Sequence, residues 1–293
     1  MSAIAPLFSI IIPVYNDWLP LHQCLRSLAQ QTSGLGFEVV IVDDGSRETA
    51  PESIRHWSSC YPLTVVRRPH AGVSAARNRG VQISKGSVLV FVDADCRLQT
   101  NCLAALASII TDSPQHSCFQ LHLIGDCSGA VGRAEELRLR ALQTHLLQSN
   151  GCIRYLNTAG FAVRRARVDI QRGIFDPVAL RGEDTLLLAN MMRRGNLPLF
   201  APDAIVEHAI PLSLMGCLLK DIRSAYLARM TDGLMATKGV RIRVSNRERF
   251  SMLASMWKTS GQRSIGRLAW LVLVVRQGLQ RIMSFAYQAF SPT

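Results

Sequence analysis

The chain is expected to be an α/β protein, a mostly parallel sheet covered on both faces by helices and followed by a C-terminal helical extension. Three observations lead there. Apolar runs alternate with segments of helical periodicity through the first hundred residues. The runs "FSIIIPV", "FEVVIV" and "SVLVFV" are continuous, as strands buried on both faces must be. The last 83 residues change character: they carry 13 of the 33 Lys and Arg but 3 of the 21 Asp and Glu, on helical apolar spacing.

Each element follows in order. "FSIIIPVYN" reads as a first strand, and "LPLHQCLRSLAQQ" as a helix with Leu21, Cys24, Leu25 and Leu28 on one face. "FEVVIVDDGS" is a second strand, "APESIRHWSSC" is helical, "LTVVRRP" is a short strand, "SAARNRGVQIS" is a helix and "SVLVFVDAD" a strand. The region 106–210 is less regular. Leu186, Leu187, Asn190 and Met191 mark a helix there, with Glu183 and Asp184 at its N-terminus, where acidic side chains complement the helix dipole. The organisation is therefore 1–105, 106–210 and a basic tail, 211–293. In the tail, Ile265, Leu268, Val272, Val275, Leu279 and Ile282 form a face suited to packing. "LAWLVLVV" is apolar all round and places Trp270, Leu273 and Val274 beside Arg263 and Arg281, a side suited to a membrane interface.

Composition narrows the classes. With 48% apolar and 18% charged residues, disorder is excluded. Ten of the twelve excess positive charges lie in the tail, which points to an anionic partner surface. Lipid is preferred to nucleic acid, which is not expected, because few aromatics interleave with the basic residues and no RNA-module signature occurs; an oligomerisation helix is the equal alternative for the tail. The eight cysteines are scattered without a C-x-x-C pair, and are expected to be reduced thiols of a cytoplasmic protein without structural zinc. No signal peptide and no spanning helix is expected, so the location is cytoplasmic, peripheral on the inner face of the plasma membrane.

In parallel sheets, ligands bind beyond the carboxyl ends of the strands. Three such ends carry polar chemistry: "PVYND", "VDDGS" and "VDADC". If the last strand runs through its acidic pair, strand alternation puts Asp93 and Asp95 on one side, where two carboxylates are favoured by a cation between them. Hard oxygen donors suit Mn²⁺ or Mg²⁺. A D-x-D alone is more often an ordinary polar turn; the Arg-rich "ARNRG" beside it adds cations for phosphate. A glycine-rich phosphate loop is absent: there is no G-x-x-x-x-G-K-[ST], and "SGLGFE" precedes a strand where a dinucleotide fingerprint follows one.

"FSIIIPVYN", "FEVVIVDDGS", "HAGVSAARNRGVQISKGSVLVFVDADC" and "NTAGFAVRR…GEDTLLLANMMRRG", in this order, resemble the family 2 glycosyltransferases of the GT-A fold, from about Phe8 to His208. The resemblance implies a Rossmann-like sheet, a nucleotide-sugar half over 1–105 and an acceptor half over 106–210. It implies that Pro13, Tyr15 and Asn16 line the nucleotide site, that Asp44 contacts the base with Asp43 beside it, and that Arg77 and Asn78 lie near the diphosphate. Asp93 and Asp95 would hold the metal, Asp95 the more firmly and Asp93 towards the ribose and donor sugar, with His208 joining them. Gly160 would be a small residue by the donor, Asp184 the catalytic base and Glu183 its neighbour in the acceptor site. The activity implied is metal-dependent, inverting transfer from a nucleoside-diphosphate sugar, UDP favoured, to a glycan or glycolipid hydroxyl. A non-catalytic nucleotide-binding subunit at the membrane is the alternative. Two departures stand out: Cys96 occupies a position where an acidic residue commonly follows D-x-D, and "RGIFDP" replaces a commoner "GGFDE".

Overall fold

The computed structural model describes residues 6–32, 34–126, 129–179, 181–209, 213–222, 246–260 and 264–289. Strands β1 (Phe8–Val14), β2 (Phe37–Asp43), β3 (Leu63–Arg67) and β4 (Val88–Phe91) pair in parallel in the order β3-β2-β1-β4. Strand alternation divides their side chains between two cores. Ile10, Ile12, Val39, Ile41 and Val90 enter one, under Leu21, Leu25 and Leu28 of α1 (Trp18–Ala29) and Leu103 and Leu106 of α4 (Cys102–Asp112). Ile11, Val40, Val42, Leu89 and Phe91 enter the other, under Ala76 and Val81 of α3 (Val73–Ile83) and Leu188 of α6 (Glu183–Arg193). Helix α3 lies close to β1 because Gly80 has no side chain. A Cβ there would come within 2.4 Å of Ile11 Cγ2. The expected helix at 50–60 is a short α2 (Glu52–Arg55) continued by a 3-10 turn.

The sheet does not stop at the first half of the chain. It continues as β7-β6-β8-β5, through β7 (Phe161–Arg164), β6 (Cys118–Gly125), β8 (Leu199–His208) and β5 (Cys96–Leu98), giving eight strands in one sheet. β6 and β8 are parallel, whereas β4 with β7, β6 with β7 and β5 with β8 are antiparallel. The parallel expectation holds for β1 to β4; the later strands make the sheet mixed.

The described part of the tail packs on the same body. Helix α5 (Gly129–Leu146) offers Ala134, Leu137 and Ala141 to Met252 and Met256 of α8 (Asn246–Thr259) and to Ala269, Val272 and Leu273 of α9 (Ser264–Ala289). Residues 214–222 are helical and form α7. Asp221 of α7 accepts from Arg276 of α9 at 2.6 and 3.1 Å, and Arg276 lies 3.9 Å from Glu135 of α5, which also accepts from Arg138. Burial would raise the Glu135 carboxyl, but these arginines hold it at about 2. This network fixes the rotation of α9 and corrects the sequence expectation. Leu273 is buried and Trp270 half-buried; of the expected packing face Val272 is buried, while Leu268, Val275 and Ile282 are exposed. Arg263 lies outside the described residues, as do the side chains of Ile265 and Arg281.

Removing one partner leaves the other charge buried, so Asp221→Ala is expected to destabilise the protein by about 3 kcal/mol in chemical denaturation. A carboxyl depressed by folding contributes stability above its unfolded value and loses it as the pH falls. Glu135→Gln should therefore flatten the loss of stability between pH 4.5 and about 2, read as Tm against pH.

Candidate active site

The carboxyl ends of β1, β2 and β4 converge on one rim of the sheet, and the loops leaving them are tied to each other. Asn16 follows β1 with φ of 61°, a left-handed conformation that Asn tolerates. Its amide donates to Ser46 Oγ (2.9 Å) and its Oδ1 accepts from the Arg47 amide (2.8 Å), joining the β1 and β2 loops. Beside it the half-exposed Tyr15 stacks on His70, ring centroids 4.3 Å apart.

The paired aspartates after β2 are used unequally. Asp44 accepts from Arg68 Nη1 (2.6 Å) and from the amides of Ala71 and Gly72, and its Oδ2 lies 2.8 Å from His70 Nδ1. All of its oxygen capacity goes into shaping the β3–α3 loop. Asp43 caps the Ser46 amide with Oδ1 (2.8 Å), but its buried Oδ2 has no hydrogen bond and only Arg67 Nε at 3.5 Å. Between the two, Asp43 keeps the free acceptor.

Asp93 and Asp95 do not lie on a strand. β4 ends at Phe91, and the Cys96 amide bonds the Asp93 carbonyl (3.1 Å), closing a turn across both aspartates. The strand alternation expected for them is corrected: they lie in a turn, and the two carboxylates take different partners. Asp93 Oδ1 accepts from Arg77 Nη2 (2.7 Å), while Asp95 Oδ2 lies 3.4 Å from His208 Nε2. Antiparallel pairing of β5 with β8 sets Cys96 opposite His208, which delivers the histidine across more than a hundred residues of sequence. Burial would raise the Asp95 carboxyl; the hydrogen bond and charge of His208, with the charge of Lys220, hold it below its ordinary value. Burial likewise would lower the His208 imidazole, and Asp95 raises it. Asp95, Cys96 and His208 bring one donor atom each to within 4.8 Å of the others. The Cys96 thiol is pushed well up by burial and stays neutral, so the Asp95 carboxylate is the ready donor, and the His208 nitrogen can join it on giving up its proton. That pair fits a divalent cation of the Mn²⁺ or Mg²⁺ kind, with Asp93 across the turn.

Arg77 joins this turn to the second half of the chain. Nearly inaccessible at 2%, it donates Nη1 to Glu183 Oε1 (2.6 Å) and Nη2 to Asp93, with Phe175 below its plane at 5.5 Å. Burial would lower its affinity for the proton, but the two carboxylates raise it, so the guanidinium is a fixed cation. Its Nε has no hydrogen-bond partner. Asn78 makes a parallel tie: Nδ2 donates to the Phe175 carbonyl (2.7 Å), and Oδ1 accepts from the amides of Ile174 and Phe175. The resemblance puts Arg77 and Asn78 near the diphosphate; their hydrogen bonds hold the "GIF" loop and the α6 N-terminus against the first half. Gly160 also has a packing reason, since a Cβ there would meet Leu123 Cδ2 at 2.8 Å.

Asp184, next along α6 from Glu183, is half-buried and accepts from the Thr185 amide and hydroxyl. Burial, then the charge of Glu183, pushes its carboxyl up to about 6, a value suited to accepting a proton near neutrality. Pro13, the remaining residue taken from the first strand, lies in β1 opposite Val42. Sequence reasoning missed Asp17, whose carboxyl is raised by burial and by the charges of Asp95 and Asp93, and it missed His70 and Lys220. "PVYND" and "HAG" follow β1 and β3, so the strand-end rule could have found the first two. Lys220 left no local signal. Seven cysteines are free thiols, and Cys127 lies outside the described residues.

The family model described as glycosyl transferase family 2 matches residues 9–173. Glycosyltransferase AglE of Haloferax volcanii is 36% identical over 99 residues, 33% of this chain and 33% of that protein. The dolichol-phosphate mannosyltransferase of Pyrococcus furiosus is 39% identical over 88 residues, 30% of this chain and 25% of that one. The matched stretch thus spans a third or less of these relatives. In structure, mannosyltransferase PcManGT from Pyrobaculum calidifontis, in complex with GDP-Man and Mn²⁺, overlays 99% of this chain and 77% of its own at a TM-score of 0.61 and 17% identity. Residues 1–349 of S. aureus TarS, in complex with UDP, overlay 97% of this chain and 92% of their own at 0.57 and 18%. At these identities the likeness is one of fold.

Arg77→Met should cost about 3–5 kcal/mol of stability by stranding Asp93 and Glu183. In a double-mutant cycle with Glu183→Gln, the two losses should fall short of additivity by about 1–3 kcal/mol, because both remove one ion pair.

Proposed function

The chain belongs to glycosyl transferase family 2, and from that membership we propose an inverting transferase. It moves a sugar from a nucleoside-diphosphate donor, UDP favoured, to the hydroxyl of a lipid-linked or cell-envelope glycan. The observation that carries the reading is the meeting, through Arg77, of the Asp93–Asp95 turn with the helix that presents Asp184. Donor-side and acceptor-side carboxylates are thereby held on one rim of one sheet.

These contacts support the following roles. Tyr15 and His70 offer a stacked aromatic surface for a base, above the loop that the buried Asp43 and Asp44 shape. Asp95 and His208, with Asp93, would hold Mn²⁺ or Mg²⁺, which when bound neutralises charge on the departing diphosphate. Asp184 accepts the proton of the acceptor hydroxyl as its oxygen bonds to the anomeric carbon. The bond from that carbon to the diphosphate oxygen breaks, its electron pair stays with the phosphate, and the anomeric centre inverts. Glu183, ion-paired to Arg77, keeps a fixed negative charge beside Asp184 and is not itself the base. The donors GDP-Man and UDP named with the structural neighbours span two bases, and the Pyrococcus relative is named for a lipid-phosphate acceptor.

Calorimetric titration of UDP, GDP and dTDP with and without Mn²⁺ tests the donor side. Binding that requires metal, favours UDP and is lost in Asp95→Asn is the expected result. Weak binding indifferent to base, metal and mutation would overturn the proposal. On the acceptor side, Asp184→Asn should retain UDP affinity and lose about 10²–10⁴-fold in kcat. In the wild type, kcat should rise with pH through about 6 as Asp184 loses its proton.

A further inference from the structure

The exposed apolar surface of this protein is concentrated at one place. Thirteen large apolar side chains are exposed among the described residues, and nine of them belong to α7, α8 and α9. On α9, Leu268, Leu271, Val275 and Ile282 recur at intervals of three, four and seven, which makes them one stripe along the helix. The stripe is 51–66% exposed, while Ala269, Val272 and Leu273 on the opposite side pack on α5. Helix α8 repeats the division. Phe250 and Trp257 are exposed at 72% and 50%, whereas Met252 and Met256 are buried. The two helices touch through Trp257 and Trp270, ring centroids 4.9 Å apart.

These faces are also strongly basic. Apart from Arg276, which turns inward to Asp221, α8 and α9 contain five Lys and Arg and a single acid, Glu248, which is paired with Arg154 of the catalytic body. Arg247, Lys258 and Arg267 are exposed close in sequence to Phe250, Trp257 and Leu268. Among the described residues, no helix is long and apolar enough to cross a membrane. Apolar side chains that reach solvent beside unopposed positive charge match the two layers of a bilayer interface: acyl chains for the first, anionic headgroups for the second.

We propose that α8 and α9 dock on an anionic lipid surface through Phe250, Trp257, Leu268, Leu271, Val275 and Ile282. The docking face is the reverse of the one that the sequence pattern selects, because the Arg276–Asp221 pair turns Leu273 inward. Its consequence for catalysis rests on the proposed transferase reading, whereas the docking does not. α7 is bonded to α9 through that pair, and its neighbouring Lys220 acts electrostatically on Asp95 and Asp17. The face that touches lipid is therefore tied through α7 to the rim where an acceptor would be used, and an acceptor held in the bilayer would reach the site without leaving it.

The test is sedimentation of the full chain with vesicles of phosphatidylcholine containing phosphatidylglycerol, beside vesicles of phosphatidylcholine alone. Partitioning is expected on the anionic vesicles, to weaken with salt, and to fall by about tenfold in Leu271→Glu/Val275→Glu. Lys258→Glu/Arg267→Glu should lower it by a similar factor. All four positions are exposed, so the melting temperature should be unchanged in both variants. Equal partitioning of wild type and variants, or equal binding to neutral vesicles, would overturn the proposal. So would a wild-type dimer in light scattering that Leu271→Glu/Val275→Glu dissolves while vesicles bind neither protein, since a second copy would then cover the face. Vesicle binding is scored without turnover, so loss of the transferase reading would leave this result standing.

Discussion

A buried guanidinium between two carboxylates is the constraint on which the site depends. Arg77 is out of water, and an unpaired charge there would cost several kcal/mol. It is tolerated because Asp93 arrives from the turn after β4 and Glu183 from the first turn of α6, at 2.7 and 2.6 Å. Those two segments lie ninety residues apart in the chain, so the cation is satisfied only when both halves are folded against each other. Asn78, one residue on, reinforces the tie by capping three backbone groups of the loop that leads to α6. The "ARN" segment is thus first a clamp between halves, and any service to a ligand must be compatible with that duty.

The clamp also sets the electrostatics of the neighbouring carboxyl. Burial raises Asp184 and the Glu183 charge raises it further, while Arg77 acts in the opposite sense. A neutral residue in place of Arg77 would leave the Glu183 charge beside Asp184 opposed only by the Thr185 hydrogen bonds. The value near 6 is therefore a balance of desolvation and the Glu183 charge against the Thr185 hydrogen bonds and a cation that never loses its proton.

The strands β1, β2 and β4 are legible in sequence because a strand buried on both faces must be continuously apolar, and the three loaded strand ends followed from that. Local pattern failed where long-range structure decides. The D-x-D pair looked like a strand end but closes a turn, since the Cys96 amide returns to the Asp93 carbonyl. His208 was found by likeness; what brings it to Asp95 is the β5–β8 register, which no window of sequence contains. The run "LAWLVLVV" offers apolar groups on every side, so its periodicity could not choose a buried face. A charged pair, Arg276 with Asp221, made the choice. Gly160 and Asn78 were legible as special positions, and their special property is packing and backbone capping.

The distribution of charge at the rim constrains what the site can accept. Asp17, Asp93, Asp95, Glu183 and Asp184 lie along it, and the Asp17 carboxyl is raised by burial and by the charges of Asp95 and Asp93. Against them stand Arg77, committed to Asp93 and Glu183, with His208 and Lys220 acting on Asp95. A diphosphate entering this field meets excess negative charge, and among the described residues the rim's buried guanidinium, Arg77, is committed to carboxylates. Binding of such an anion is favoured when positive charge enters with it. On the proposed reading, Asp95, beside a histidine nitrogen, is where a divalent cation would satisfy that requirement. On the proposed reading, donor and metal affinity should therefore be linked: each one removes the repulsion that opposes the other.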